Sequence, residues 1–368
     1  MTSHSDMQNL IYKGAINSLS FGNVSYNILR ELYRKHINVA FFPFGDNLVF
    51  DAFDKIDPDF HKWIVASSQN RFHLMDKDYH TLCQWHLNGS ESRVSKSQTL
   101  LTFYETDEPT DVETSIAKIQ DNCAFSSKHA AEIFKAKGCD NIHTIPMGFD
   151  EDFHETDESY LPNKIHFGLM GKFEKRKNTA QIIKNWAKQY GNNYDYQLSC
   201  CITNPFFKPE QMNQVLGQCL DGKSYGNINF LPHLKTNSEV NEFINAIDID
   251  LSGLSGAEGW NLPAFNSSAL GKWSIVMNHT SHKDWANSEN SILIEPEYQT
   301  EIYDQAFFIK GQAFNQGNIN QISDETMINA FKKSEVYYEK KNEEGVKLRE
   351  DFTYEQTVNK IIEIIGNE

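Results

Sequence analysis

The sequence has no apolar run that reaches the roughly 18 to 20 residues needed to span a bilayer. Residues 1–6 also lack the basic start and apolar centre of a secretory signal. We therefore expect a cytoplasmic protein with no transmembrane segment. With 39% hydrophobic and 23% charged residues, the composition is that of a globular chain rather than a disordered one.

The common motifs of metal, redox and nucleotide enzymes are also missing. The six cysteines show no metal-type spacing, which indicates reduced thiols. His279 and His282 have no third ligand at a recognised spacing, so we expect no metal. The chain contains no G-x-x-x-x-G-K-[ST] loop, no G-x-G-x-x-G turn and no G-x-S-x-G elbow, which argues against an ATPase, a dehydrogenase and a serine hydrolase.

The sequence has few basic residues relative to acidic ones, 34 against 50, which gives a net charge of −16. This balance argues against stable nucleic-acid binding and against docking on anionic lipid through a polybasic face. An anionic ligand would need a local cluster of basic side chains.

Apolar strand-like runs alternate with amphipathic helices, which predicts an α/β protein with parallel sheets. The expected strands are 11–16, 39–43, 71–75, 81–86, 100–104, 142–146, 165–170, 196–202, 228–231, 248–251 and 273–277. The acidic loop 148–163 separates two such series. We therefore predict Rossmann-like domains at 1–155 and 156–345, and a final helical segment, 346–368, that crosses back to the first domain.

The segment 255–266 is the most informative one. It follows an apolar run and combines glycines with Pro263, a residue suited to a first helical turn. A glycine turn at a helix N-terminus favours anions, while Glu258 is better suited to accept hydrogen bonds from hydroxyl groups. Asn266 would lie within reach of the same crevice. A carboxylate beside a phosphate site suggests a sugar nucleotide, although an ordinary turn between a strand and a helix remains the alternative.

A second segment, 171–178, places Lys172, Lys175, Arg176 and Lys177 directly after a predicted strand. Such a cluster supplies the local positive charge that a diphosphate requires. The alternative is a solvated loop of charges before a helix.

Segment 255–266 resembles the E-x7-E signature of retaining glycosyltransferases of family 4, which usually read E-G-F-G-L-P-x-x-E. Asn261 stands where the family often has glycine, and Asn266 replaces the second glutamate. The resemblance implies that Glu258 contacts the donor sugar and that Asn266 bonds the ribose, which an amide can do. It also implies donor contacts from the residues between them: Gly259, Trp260, Asn261 and Leu262.

Segment 171–178 is similar to the G-R-x-x-x-x-(x)-K stretch of the same family, whose basic side chains hold the donor diphosphate. By position, Lys172 replaces the arginine and Lys177 matches the lysine, with Arg176 beside it. A lysine offers a point charge where arginine offers a planar fork. Leu234 lies in a loop that resembles those around the nucleotide base.

Two loops of the first half also resemble that family. Gly22 and Asn23 match a glycine loop beneath the diphosphate, where a glycine permits close backbone approach. Glu105, within 102–109, is similar to a W/F-E-T/S-x-x-x-P subset. There it would bond acceptor hydroxyls or support positive charge developing on the sugar. The alternative for Glu105 is an acidic loop that caps the helix expected over 111–119.

The resemblance implies a GT-B fold: two doubly wound Rossmann-like domains that face each other across a cleft, with C-terminal helices packing back. It also implies metal-independent, retaining transfer of a sugar from a UDP- or GDP-linked donor, with no further cofactor. The acceptor would be a glycan, a lipid, a protein or a small molecule. Two alternatives remain: a sugar-nucleotide hydrolase or epimerase, and a non-catalytic nucleotide-sugar-binding protein.

Overall fold

The computed structural model describes residues 7–45, 47–157 and 160–366. They form two compact units. The described residues of the first unit lie within Met1–Asp152, Ala313–Asn315 and Glu350–Glu368, and those of the second lie within Phe153–Gln312 and Gln316–Arg349.

The strands form two six-stranded sheets and one two-stranded ribbon. In chain order they are β1 Asn9–Gly14, β2 Asn38–Pro43, β3 Thr81–Gln84, β4 Gln98–Thr102, β5 Asn122–Phe125, β6 Ile142–Thr144, β7 Ile165–Met170, β8 Tyr196–Cys201, β9 Ile228–Phe230, β10 Ile249–Asp250, β11 Trp273–Met277, β12 Ile292–Ile294, β13 Tyr298–Glu301 and β14 Asn318–Gln321.

Helices connect most of these strands. In chain order they are α1 Ser20–Arg34, α2 Pro58–Gln69, α3 Arg71–Leu74, α4 Asp111–Lys118, α5 Lys128–Ala136, α6 Thr179–Tyr190, α7 Pro209–Cys219, α8 Asn237–Ala246, α9 Leu262–Ala269, α10 His282–Trp285, α11 Asp324–Ser334, α12 Glu343–Val346, α13 Leu348–Asp351 and α14 Tyr354–Gly366. Among the described residues, none of these helices has the length and apolar character needed to cross a membrane.

Both large sheets are wholly parallel and doubly wound. The first has the order β2-β1-β3-β4-β5-β6, so chain progression reverses direction between β1 and β3. The second has the order β12-β11-β10-β7-β8-β9, with its reversal between β7 and β10. Such switch points open a crevice beyond the carboxyl ends of the strands, where open α/β sheets bind ligands.

Buried apolar side chains explain why the strands lie at the centre of each unit. In the second unit, Phe167 on β7 packs against Trp186 on α6 and Phe331 on α11. The strands carry apolar side chains on both faces, as parallel sheets covered by helices require.

The last helix packs against the first helix of the chain. α14 contacts α1, and Thr357 Oγ1 donates to the carbonyl of Pro146 at 2.8 Å. The amide of Phe149 donates to the carbonyl of Phe352, also at 2.8 Å. The chain therefore returns to complete its first unit.

One expected strand is wrong. Residues 71–75 were predicted to form a strand, but Arg71–Leu74 is the short helix α3. The amide of Asn70 donates to the carbonyl of Ala66 at 2.9 Å, and the amide of Leu74 donates to the carbonyl of Asn70 at 3.0 Å, so the chain passes from α2 into α3 through one residue. Phe72 is 68% exposed and meets the ring of Phe42 edge-on. An apolar, β-favouring composition was outweighed by helical continuity with α2.

Candidate functional site

The two sequence segments that suggested a sugar nucleotide lie side by side in the second unit. One follows β7 and the other follows β10, the strands that flank the switch point. The amide of Met170 donates to Ser252 Oγ at 3.0 Å. Asn178 Nδ2 donates to the carbonyl of Leu254 at 2.9 Å, and the Gly256 amide donates to the carbonyl of Arg176 at 2.8 Å. Backbone and side-chain bonds therefore fix one loop against the other.

Glu258 is the central charge of this site, and its side chain is only 7% exposed. Oε1 accepts from Lys177 Nζ and from Ser255 Oγ, each at 2.7 Å. Oε2 lies 3.1 Å from Arg176 Nη1. Burial by itself would raise the pKa of Glu258, but the adjacent Lys177 and Arg176 outweigh burial and hold this pKa well below its usual range. Glu258 is therefore a carboxylate.

Arg176 faces the interior of the unit rather than the surface. Its Nη1 donates to the carbonyl of Ala257 and its Nη2 to Glu174 Oε1, both at 2.7 Å. The charges of Glu174 and Glu258 therefore balance those of Arg176 and Lys177. The sequence suggested a surplus of positive charge in this loop, whereas the folded site is close to neutral at its base.

Lys177 is the more accessible of the two cations bound to Glu258, with 16% of its side chain exposed against 9% for Arg176. Its alkyl chain passes over Gly171, which has a φ of +131°. A Cβ atom at Gly171 would lie 3.1 Å from Lys177 Cδ. Glycine thus suits position 171 for two reasons: it adopts the positive φ readily, and it leaves room for the Lys177 side chain.

The other lysines of the loop lie further out. Lys175 Nζ donates to the carbonyl of Tyr303 at 3.0 Å. Lys172 Nζ lies 5.5 Å from the ring centroid of Phe206 and 5.6 Å from that of Phe307, within the range of cation–π attraction. No motif in the sequence indicated these aromatic contacts.

A closed set of hydrogen bonds shapes the turn that carries Glu258. The Glu258 amide donates to Thr280 Oγ1 at 3.2 Å, so this N–H points into the protein. His279 Nε2 lies 2.7 Å from the Ser255 carbonyl, which can only accept, and Nδ1 lies 2.9 Å from Thr280 Oγ1. Nε2 must therefore carry a proton, and in the neutral ring Nδ1 accepts from the Thr280 hydroxyl. Ser255 Oγ closes the set on Glu258.

Asn261 explains one departure from the family pattern. It has a φ of 70°, in the left-handed region that glycine and asparagine adopt more readily than other residues. Its Oδ1 accepts from the Ala264 amide and so caps α9, and its Nδ2 lies 2.8 Å from Nε2 of the buried His282. His282 Nδ1 lies 2.7 Å from the Met277 carbonyl and donates to it, so Nε2 accepts from Asn261. Both histidines that resembled metal ligands thus support the turn.

Asn266 lies on α9, one turn after Pro263, and is 8% exposed. Its Oδ1 is buried and accepts no hydrogen bond from any residue that the structure describes. Leaving such an acceptor unpaired costs about 1 to 3 kcal/mol, and an unpaired buried group in a folded protein calls for an explanation.

The other residues of the second unit that were predicted to contact the donor follow Glu258 in the chain or lie in the loop between β9 and α8. Gly259 and Trp260 are buried, and the Trp260 carbonyl accepts from Trp285 Nε1 at 3.0 Å. Leu262 begins α9 and is half-buried. Leu234 is half-buried in the loop between β9 and α8.

The predicted residues of the first unit follow the carboxyl ends of β1 and β4. A Cβ atom at Gly22 would lie 2.3 Å from the Asn17 carbonyl oxygen, so this glycine lets α1 pack on the loop before it. Asn23 Nδ2 donates to the carbonyls of Ser18 and Leu19, each at 3.1 Å. Glu105 is half-buried in the loop after β4. These three residues belong to the first unit, and Glu258 belongs to the second.

Groups of three or more His, Cys, Asp or Glu side chains arranged to bind a metal ion do not occur in the described ranges. The absence of a metal requirement stays a prediction.

Two doubly wound parallel sheets, each the core of a Rossmann-like domain, define the GT-B class of fold, and the chain has this fold as the sequence predicted. A sucrose-phosphate synthase from Thermosynechococcus elongatus is similar over 98% of this chain and 98% of its own, with a TM-score of 0.67 and 12% sequence identity. HepE from Anabaena in complex with UDP is similar over 98% of this chain and 100% of its own, with a TM-score of 0.61 and 12% identity.

A third structure, an α,α-trehalose 6-phosphate synthase from Burkholderia multivorans, covers 98% of this chain and 99% of its own, with a TM-score of 0.63 and 9% identity. No family model matches the chain, and no curated protein matches it in sequence. At such low identity the likeness to these three structures is one of fold.

Proposed function

We propose that this protein is a glycosyltransferase that transfers a sugar from a UDP- or GDP-linked donor to an acceptor. The observation that carries the proposal is the charge arrangement at the switch point of the second sheet, where Lys177 pairs with Glu258 in the loops after β7 and β10. On α9, the helix that follows the Glu258 turn, Asn266 Oδ1 has no partner among the described residues. The GT-B fold supports it, and so do the Anabaena HepE structures, which contain UDP and UDP-glucose.

Donor binding exchanges partners within this site. The diphosphate attracts the ammonium of Lys177, which now pairs with Glu258 Oε1. Oε1 then becomes available to accept from a hydroxyl of the donor sugar, while Arg176 keeps Oε2 in place. Arg176 therefore acts as a positioning residue, and Lys172 adds positive charge further along the diphosphate. Asn266 Oδ1 accepts from a ribose hydroxyl, which would satisfy its missing hydrogen bond.

For the chemistry we infer front-face displacement with retention, of the family 4 type. The bond between the anomeric carbon and the leaving phosphate oxygen breaks, and the bond to the acceptor oxygen forms on the same face. The departing phosphate oxygen takes the acceptor proton, so no protein nucleophile is needed. Lys177 and Lys172 stabilise the negative charge on the leaving diphosphate, a task that a metal ion performs in other enzymes. Glu105 bonds the acceptor or supports the positive charge on the sugar.

The proposed setting is the cytoplasm. All six cysteines are unpaired thiols, and five of them are buried. Such usage is typical of proteins that work in a reducing compartment.

The direct test is a panel of UDP-, GDP- and ADP-sugars in thermal shift and calorimetry, followed by measurement of nucleotide diphosphate release with candidate acceptors. We expect at least one donor to raise the melting temperature and to release its diphosphate only when an acceptor is present. Release without an acceptor would favour a hydrolase over a transferase. Binding without release on any acceptor would favour the non-catalytic alternative. Failure of every donor to bind would overturn the proposal.

Asn266→Ala is expected to weaken UDP binding about tenfold, the effect of roughly one lost hydrogen bond, without loss of stability. The stability should be maintained because the variant removes a buried oxygen that has no partner among the described residues. Asn266→Glu should keep or tighten the binding. Calorimetry with UDP and chemical denaturation give the two readouts.

The control for Asn266 is Asn229→Ala, a change at an exposed position on β9 of the same unit. It should alter neither UDP affinity nor stability. Unchanged UDP affinity in Asn266→Ala would show that this side chain does not contact the nucleotide.

A further inference from the structure

Aromatic side chains gather at the carboxyl edge of the first sheet, where no sequence motif singled them out as a site. This ring cluster consists of Phe21, Phe44, Trp85, His86 and Phe103. Phe21 follows β1, Phe44 follows β2, the next two residues follow β3, and Phe103 follows β4. The ring cluster therefore spans the switch point between β1 and β3, the position at which sheets of this kind bind ligands.

The rings are in mutual contact. Phe44 and Trp85 stack with centroids 4.4 Å apart and planes 13° apart. Phe21 joins the remaining rings, at 4.2 Å from His86 and 5.0 Å from Phe103. Phe44 and Trp85 also pack on the hydrophobic core of the first unit. The hydrophobic core and the contacts between the rings thus hold the ring cluster in a defined arrangement.

The ring cluster is not part of that core. Its phenylalanines and Trp85 are half-buried, and His86 is exposed. By contrast, Phe41, Phe125 and Phe134 in the same unit are fully buried. Leaving large apolar rings partly in water forgoes stabilisation of about 25 cal/mol for every Å² that burial would remove from water. Half-buried aromatic rings at a switch point, the position at which such sheets bind ligands, indicate a ligand site.

The charge around the ring cluster argues for an uncharged ligand. The loop directly after Phe103 carries Glu105, Asp107 and Glu108. Lys13 Nζ lies 5.5 Å from the Phe44 ring centroid, but it is committed to the Ser92 carbonyl at 2.8 Å. An anionic ligand would meet like charge here, in a chain whose net charge is already −16.

We propose that the ring cluster binds an uncharged sugar ring. A pyranose presents C–H groups on its faces and hydroxyl groups around its rim. The aromatic rings can pack against the C–H faces of the sugar. His86 and Glu105 supply acceptors and donors for its hydroxyl groups. The binding itself is independent of the second unit. That this sugar is the acceptor of the transfer rests on the proposed function.

The test uses the full-length chain and saturation-transfer NMR, with calorimetry, on neutral saccharides: methyl glucosides, maltose and cellobiose. Glucose 6-phosphate serves as the anionic probe and indole as a planar apolar probe. We expect millimolar binding of a neutral saccharide, with the strongest saturation on its C–H protons and weaker binding of glucose 6-phosphate. Trp85→Ala and, separately, Phe21→Leu should each weaken that binding about tenfold, the equivalent of roughly 1.4 kcal/mol.

Phe72→Ala is the matched control, because Phe72 is an exposed ring of the same unit outside the ring cluster. It should leave saccharide binding unchanged. Two results would overturn the inference: no neutral saccharide binds, or Trp85→Ala and Phe21→Leu, both folded by circular dichroism, bind as the wild type does. Binding of indole without any saccharide would also overturn it.

UDP binding, measured in the same samples, separates this inference from the proposed function. A wild-type chain that binds UDP but no neutral saccharide contradicts the inference about the ring cluster alone. Saccharide binding in a chain that binds no nucleotide contradicts the proposed function alone.

Discussion

Lys177→Met is expected to lower the rate of sugar transfer by roughly a thousandfold, the scale seen when one preorganised charge is removed from a developing anion. Lys177 is the more exposed cation of the pair that binds Glu258, so it is the one positioned to reach a diphosphate. Arg176 and Ser255 still contact Glu258 in this variant, and we expect it to fold. Steady-state kinetics with the donor identified in the binding panel measure the effect.

Lys175→Met is the matched control, because it removes the same charge at a position two residues before Lys177. Lys175 is exposed, and its Nζ donates to the Tyr303 carbonyl. Activity should remain close to that of the wild type. Equal losses in the two variants would mean that only the general charge of the loop matters. Wild-type turnover in Lys177→Met would contradict the role proposed for this lysine.

Glu258→Ala is expected to destabilise the protein by about 3 to 5 kcal/mol as well as to abolish transfer. The variant leaves the partly buried Lys177 without its carboxylate, and leaves the buried Arg176 with Glu174 as its one remaining ion-pair partner among the described residues. Activity loss in this variant alone is therefore ambiguous. Glu258→Gln keeps the size and an acceptor oxygen for Lys177, and should lose less stability while still impairing transfer.

Chemical denaturation across pH checks this assignment. The pKa of Glu258 is lower in the folded than in the unfolded protein. The ionised carboxylate therefore stabilises the fold above pH 4.5, and this contribution is lost as the pH falls further. The stabilities of the wild type and of Glu258→Gln should therefore converge on acidification. A companion change, Lys177→Met in the Glu258→Ala background, should recover part of the stability, because Arg176 keeps Glu174 as its partner whereas Lys177 loses its carboxylate. A Glu258→Ala variant as stable as the wild type would contradict the ion-pair network.

Much of the fold could be predicted because periodicity is a local property. Alternating apolar runs and amphipathic helices predicted parallel sheets, and the GT-B class was confirmed. Residues 71–75 were the exception, since a short segment with Phe72 and Leu74 satisfies strand and helix patterns alike. Its conformation was decided by the preceding helix α2.

The site was predictable as a set of segments but not as a set of partners. Glycines and Pro263 indicated the turn, and the Asn261 departure follows from a backbone angle that glycine and asparagine share. The sequence could not reveal that Arg176 would face Glu174 and Glu258 across a buried contact. A charged residue in a loop has the same local signature whether it serves a ligand or another side chain.

By itself, then, the sequence determined the class of architecture and the two loops at the switch point of the second sheet, because hydrophobic period and turn chemistry act over a few residues. Only the tertiary structure decided which charges neutralise one another, that the Asn266 oxygen has no partner among the described residues, and which aromatic rings meet at the edge of the first sheet. Those outcomes depend on residues far apart in the chain, brought together by strand order, and no local pattern encodes their distances.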